Sequence, residues 1–329
     1  MLDRDIVAEV KASKHVTAEQ VLVLRRWVYN GGAVVRGEID KLFAVDEAAT
    51  EHDAAWCELF TEAVSDYLVD QVEPEGYVDE ENADWLISRI SQDGAVKTAT
   101  ELELLVKVLE KAKSSPERLA AFALSQVAKA IIGGDGPLAR GGRLEAGRVT
   151  RDKADLMRRI LYAFGGDGNL AVSRAEAEIL FDINDAAAAA DNDPAWSDLF
   201  VKAIASFLMA ASGYAVPSRQ EAIRREAWLD EPAGGVADFF GRMAAGSLRG
   251  VLQSYREPEG EGAWAARNAR LEANSSVSEV VTAEEAEWLA RRIGRDGALH
   301  PNEKALLRFI RDEAPSVHPS LRTLIAKAA

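Results

Sequence analysis

Asp53-Ala54-Ala55-Trp56-Cys57-Glu58-Leu59-Phe60 returns further along the chain as Asp193-Pro194-Ala195-Trp196-Ser197-Asp198-Leu199-Phe200. The match extends outward in both directions. Towards the N-terminus, Leu42-Phe43 aligns with Leu180-Phe181, Leu24-Arg25-Arg26-Trp27 with Met157-Arg158-Arg159-Ile160, and Val16-Thr17 with Val149-Thr150. Towards the C-terminus, Ala83-Asp84-Trp85-Leu86 through Asp93-Gly94-Ala95-Val96 aligns with Ala286-Glu287-Trp288-Leu289 through Asp296-Gly297-Ala298-Leu299. A repeat of this kind predicts a tandem duplication of one module.

The module reads as all-helical. Val21, Leu24 and Val28, then Ile39, Leu42 and Phe43, then Leu102, Leu105, Val106 and Leu109 recur at three-and-four spacing, which puts each set on one helix face. Alanine abundance, including Ala186 to Ala190, adds helix propensity, and no segment pair reads as strands. Each copy is expected to hold five or six short helices. At 329 residues the chain exceeds the roughly 250 to 300 at which single cores stop growing. Two domains are therefore expected: 1–132, a glycine-rich linker at 133–148, and 149–329, the second interrupted by an insertion at about 213–280. The insertion carries one amphipathic helix with Val236, Phe239, Phe240, Met243, Leu248, Val251, Leu252 and Tyr255 on its apolar face. The linker's Gly133-Gly134-Asp135-Gly136 lacks the Gly-Lys-Ser/Thr ending of a phosphate loop and follows no strand.

Charge narrows the function. With 54 acidic against 39 basic residues the net charge is −15, which argues against nucleic acid as a partner, since phosphate neutralisation needs a basic face. Residues 1–132 hold 25 acidic and 14 basic residues, net −11, while 149–329 hold 27 and 22, net −5, so a preference for cations or cationic partners belongs to the first half. The single cysteine, Cys57, excludes an internal disulfide and reads as a small buried apolar residue, and His15, His52, His300 and His318 have no zinc-ligand spacing. The start lacks a signal peptide, and Ala203 to Val216 is shorter than the roughly 20 residues that span a bilayer. These features predict a cytoplasmic protein. No Gly-x-Ser-x-Gly, His-Glu-x-x-His or His-nucleophile pairing suggests an enzyme.

A smaller pattern occurs four times: a helix ending in Arg, an Asp-Gly or Asn-Gly turn, and a Glu opening the next helix. The sets are Arg26, Asn30-Gly31, Glu38; Arg89, Asp93-Gly94, Glu101; Arg159, Asp167-Gly168, Glu176; and Arg292, Asp296-Gly297, Glu303. Glycine admits the positive φ that ends a helix, Thr98 to Glu101 and Ser173 to Glu176 are capping boxes, and Pro301 suits a first helical turn. An ion pair from each Arg to its Glu across the turn is expected. These turns resemble the TerB-like helical modules of tellurite-resistance proteins, most closely at Asp93-Gly94-Ala95-Val96 with Glu101 and Leu105, Asp167-Gly168-Asn169-Leu170 with Glu176 and Leu180, and Asp296-Gly297-Ala298-Leu299 with Glu303 and Leu307. The resemblance implies an all-helical fold, a stress-response setting and, as in some members, a cation held by acidic residues. It carries over to this chain only at the turn Asp and the helix-opening Glu.

The residues themselves offer one cluster for such a cation. Glu178, Asp182 and Asp185 stack at spacings of four and three, with Asp191 and Asp193 in the following loop; Asp40, Glu47, Glu51 and Asp53 are their counterparts, with Ala44 where Asp182 would stand. Like charges at these spacings repel unless a cation or a basic group relieves them, and an all-oxygen set suits calcium. The same residues also read as a solvated face, with Asp53 and Asp193 capping the helices that follow. Two functions are thereby predicted: a non-enzymatic interaction protein meeting a protein partner, or a divalent-cation-binding protein. Trp56, Trp196, Trp85 and Trp288 read as core rather than as partner anchors.

Overall fold

In a computed structural model the described residues are 5–50, 54–92, 94–96, 98–134, 136, 138, 146–163, 172–211, 283–313 and 319–328. The insertion with its amphipathic helix lies outside them, as do Glu51, Asp53, Asp93, Asp167 and Gly168. The protein is all-α: among the described residues are thirteen α-helices and a single pair of two-residue strands. In order they are α1 (Ile6–Ser13), α2 (Ala18–Val28), α3 (Arg36–Ala48), α4 (Ala54–Ser65), α5 (Glu80–Ile90), β1 (Ser91–Gln92), β2 (Ala95–Val96), α6 (Ala99–Lys111), α7 (Glu117–Gly133), α8 (Arg151–Ala163), α9 (Arg174–Ala187), α10 (Pro194–Ala211), α11 (Ala283–Arg292), α12 (Pro301–Glu313) and α13 (Pro319–Ala328). A π-helical turn, Asp66–Gln71, continues α4. The chain divides into two compact units after Ala146, within the glycine-rich stretch. Helices α1 to α7 make the first, and most of α8 with α9 to α13 makes the second.

Helix starts follow their side chains. Thr17 and Gln20 close a capping box on α2, Thr98 and Glu101 on α6, and Ser173 and Glu176 on α9. Asp193 Oδ1 accepts the Ala195 N–H at 2.9 Å ahead of Pro194, so its carboxylate caps α10. Such caps satisfy donors that a helix leaves open and contribute about 1 kcal/mol each. The strand pair was not expected from sequence. It follows from the tight turn in which Gly94 takes φ +74°, setting Ser91 opposite Val96 in antiparallel register.

In the first unit α4 lies against α6 as the central pair, α2 packs on α4, α1 on α3 and α7 on α6. In the second, α10 and α12 form the central pair, with α9 on α10 and α13 across α11 and α12. The aromatic contacts correspond residue by residue. Phe43 meets Phe60 edge-on with centroids 5.1 Å apart, as Phe181 meets Phe200 at 5.1 Å. Trp56 lies 5.7 Å from Phe60, as Trp196 lies 5.7 Å from Phe200. Trp85 and Trp288 each add an edge contact, to Phe43 at 6.1 Å and to Phe181 at 5.7 Å. Trp56 and Trp196 are wholly enclosed. These offset and edge geometries add to the burial of large rings, which dominates the energy of each core.

Candidate functional site

The acidic row of α9 meets arginine. Arg292, at the end of α11 and only 7% exposed, reaches Asp182 Oδ1 at 2.7 Å and Glu178 Oε2 at 3.3 Å, and Arg295 lies 3.7 Å from Asp182. Glu178 also accepts the indole N–H of Trp288. The Arg292 guanidinium stacks 5.2 Å above Phe181, which fixes its plane against the core. The repulsion along the row is thus relieved by basic side chains from the next helix. Asp185 is half-buried and makes no ion pair among the described residues. Burial pushes its carboxyl above the usual carboxylate range, Arg292 works in the opposite direction, and Glu303, Asp296 and Asp182 add to the upward shift. Asp191 is exposed and Asp193 serves as a cap, so the five expected groups do not act as one set. Among the described residues no group of three or more His, Cys, Asp or Glu side chains is placed to hold a metal ion.

The first unit repeats the arrangement in reduced form. Arg89 lies 4.6 Å over Phe43 and 3.6 Å from Asp40, while Glu47 is exposed. Charge spacing does not single out Asp46, yet it is a buried carboxylate of the core. It is 3% exposed and accepts the Trp56 indole N–H at 2.7 Å. Its counterpart on α9 is Asn184, whose Oδ1 accepts from Asn302 at 2.9 Å, and the Trp196 indole N–H has no acceptor among the described residues.

At Arg26, Arg89 and Arg292 the expected Arg to Glu clamp gives way to other arrangements. Glu303, fully buried, accepts backbone N–H groups from Gly294 at 2.9 Å and His300 at 2.8 Å, so it ties the turn itself while Arg292 faces α9. Glu101 takes the Thr98 N–H at 3.0 Å and Arg89 turns to Asp40. Glu38 takes the Val35 N–H at 2.9 Å, and Arg26 is exposed. Glu176 accepts from Ser173 at 2.7 Å. A Glu at the third helical position is drawn to the backbone donors at the helix start, and Arg89 and Arg292 are satisfied instead by the neighbouring acidic face. In the fourth turn Asp296 accepts from Ala298 at 3.0 Å and pairs with His300 at 2.6 Å, and Gly297 has φ +88°. Hydrogen bonds from His300, then Ala298, hold the Asp296 carboxyl below the usual range. Cys57 is half-buried, not enclosed, with Sγ 3.1 Å from Thr100 Oγ1.

One surface feature was legible in the sequence by counting alone. Residues 42–88 contain fourteen Asp and Glu and no Lys or Arg. They run through α4, the π turn and most of α5, where Glu58, Glu73, Glu75, Asp79, Glu80 and Glu81 are exposed. Cations from other helices offset part of the charge. Arg25 meets Glu62 at 2.7 Å, Lys111 bridges Asp66 and Asp70, and Arg118 joins Glu80 and Asp84. Although burial opposes its charge, the two carboxylates raise the pKa of Lys111, while burial and the hydrogen bond to Asp66 raise that of the Tyr29 hydroxyl. Against this geometry, no protein-family model, no curated protein and no solved structure matches the chain.

Proposed function

We propose that this is a non-enzymatic protein that works by contact with a protein partner, and that the partner is basic and meets the acidic side of the first unit. The observation that carries this reading is the unbroken acidic stretch 42–88, whose charge is only partly offset by Arg25, Lys111 and Arg118. An acidic field of this kind steers cationic partners and speeds their association. No helix among the described residues is long and apolar enough to cross a membrane. The resemblance of the glycine turns to TerB-like modules supports a cytoplasmic stress-response setting, and the matching aromatic contacts support an origin of the two units in one duplicated module.

The test is affinity capture from native cells at about 50 and 500 mM salt, using the parent and a variant carrying Glu58→Gln, Glu62→Gln, Glu73→Gln and Glu75→Gln. The reading expects basic proteins that are retained by the parent at low salt, released at high salt and lost by the variant. Equal capture by parent and variant would rule it out.

A further inference from the structure

We infer that the basic partner anchors on Trp85 and Tyr67 of the first unit, laying a lysine or arginine side chain along the two rings with its charged head between Asp40 and Glu81. This rests on the reading of a basic protein partner given above.

The argument is a comparison of two matching places. In the second unit the Trp288 indole is closed: it is 3% exposed, its N–H is taken by Glu178, and Phe207 packs against it at 4.9 Å. In the first unit two changes open the same place. Asp40 stands where Glu178 stands, one methylene shorter, and turns to Arg89. The Trp85 N–H then has no acceptor among the described residues. Tyr67 stands where Phe207 stands, its centroid 6.2 Å from Trp85, with a hydroxyl that has no hydrogen-bond partner there. Trp85 and Tyr67 are both half-buried.

A half-buried tryptophan and tyrosine with unspent polar groups is the composition of an interface anchor, large in area and small in entropy lost on binding. The charge around it selects the occupant. Asp40 is 54% exposed, and Glu81, one turn before Trp85 on the same helix, is exposed. The ring already receives a cation: the exposed Arg36 lies 5.1 Å over the Trp85 ring, as Arg174 lies 5.9 Å over Trp288. A ring that already takes one guanidinium, on a helix with exposed carboxylates, favours a second cationic side chain, whose stem covers apolar area while its head stays among the acids. An anionic lipid or nucleic acid meets the wrong charge here.

Rebuilding the closed arrangement tests the inference without changing net charge. Asp40→Glu with Tyr67→Phe gives the first unit the side chains of the second, so the indole N–H is taken and the hydroxyl removed. The probe is a fluorescein-labelled twelve-residue peptide of alternating Lys and Ala, with a Glu and Ala peptide as control, followed by anisotropy at about 50 mM salt. The double variant is expected to bind the lysine peptide about tenfold more weakly than the parent, and Trp85→Phe to show a loss of the same order. Trp288→Phe should bind as the parent does; circular dichroism checks that each variant is folded. Undiminished binding by the double variant and by Trp85→Phe overturns the inference. If the four-glutamine variant loses binding in that case, the basic-partner reading survives without this anchor. If the parent does not prefer the lysine peptide to the glutamate peptide, both fail.

Discussion

Replacing Arg292 by Met removes the group on which the acidic row of α9 depends. Its side chain is 7% exposed and makes a 2.7 Å bond to Asp182, a 3.1 Å bond to the Glu178 carbonyl, and a stack over Phe181. Breaking a fully buried ion pair costs about 3–5 kcal/mol, but Glu178 and Asp182 are 38% and 53% exposed, and water recovers much of their charge. A discounted loss of about 1–2 kcal/mol for the two bonds, with about 0.5–1 kcal/mol for the stack, puts the total near 1.5–3 kcal/mol. Methionine keeps most of the packing volume, so the loss reports on charge. For a unit of this size the midpoint of thermal unfolding should fall by about 3–12 °C. Calorimetry and urea unfolding followed by tryptophan fluorescence measure both quantities. The same change makes a second demand: with the arginine gone, millimolar calcium should stabilise the variant more than sodium chloride of equal ionic strength, and should not do so for the parent. A variant within about 0.5 kcal/mol of the parent would refute the role given to Arg292.

Two further outcomes follow from differences between matched residues. Trp56→Phe leaves Asp46 buried without the indole N–H, whereas Trp196→Phe removes a donor that has no acceptor among the described residues, so in urea unfolding the first should cost about 1–2 kcal/mol more than the second; equal losses would contradict the pairing. Asp185 has its carboxyl pKa raised by burial, so the folded state holds its proton more tightly than the unfolded chain does. Its stabilising contribution is complete below the ordinary aspartate pKa and is lost as pH rises through the raised one. Asp185→Asn should therefore raise the unfolding midpoint at pH 7 and leave it nearly unchanged near pH 3, and a midpoint lowered at pH 7 would count against this assignment.

Helix content, its periodic apolar faces and the positions of caps are local properties, and the sequence by itself determined them. Thr98 with Glu101, Ser173 with Glu176, and Asp193 before Pro194 work within one turn of backbone, so their chemistry needs no distant partner. The internal match also pointed to Trp56, Trp196 and Trp288 as core, because large rings at matching places fill matching spaces. Trp85 was read in the same way and is half-buried instead. Its enclosure depends on whether the residue at Asp40 or Glu178 is long enough to reach an indole on another helix.

Tertiary structure decided the fate of the charges. The spacing of Glu178, Asp182 and Asp185 states that repulsion must be relieved, but not whether a metal ion or an arginine does so. That choice lies with Arg292, distant in sequence and delivered by the packing of Trp288 and Phe181. Arg89 and Arg292 leave their turn glutamates for the same reason: proximity across a turn competes with backbone donors on one side and a neighbouring acidic helix on the other. Electrostatic pairing is settled by whichever opposite charge the fold brings within a few ångströms, and sequence spacing fixes that distance only within a single helix.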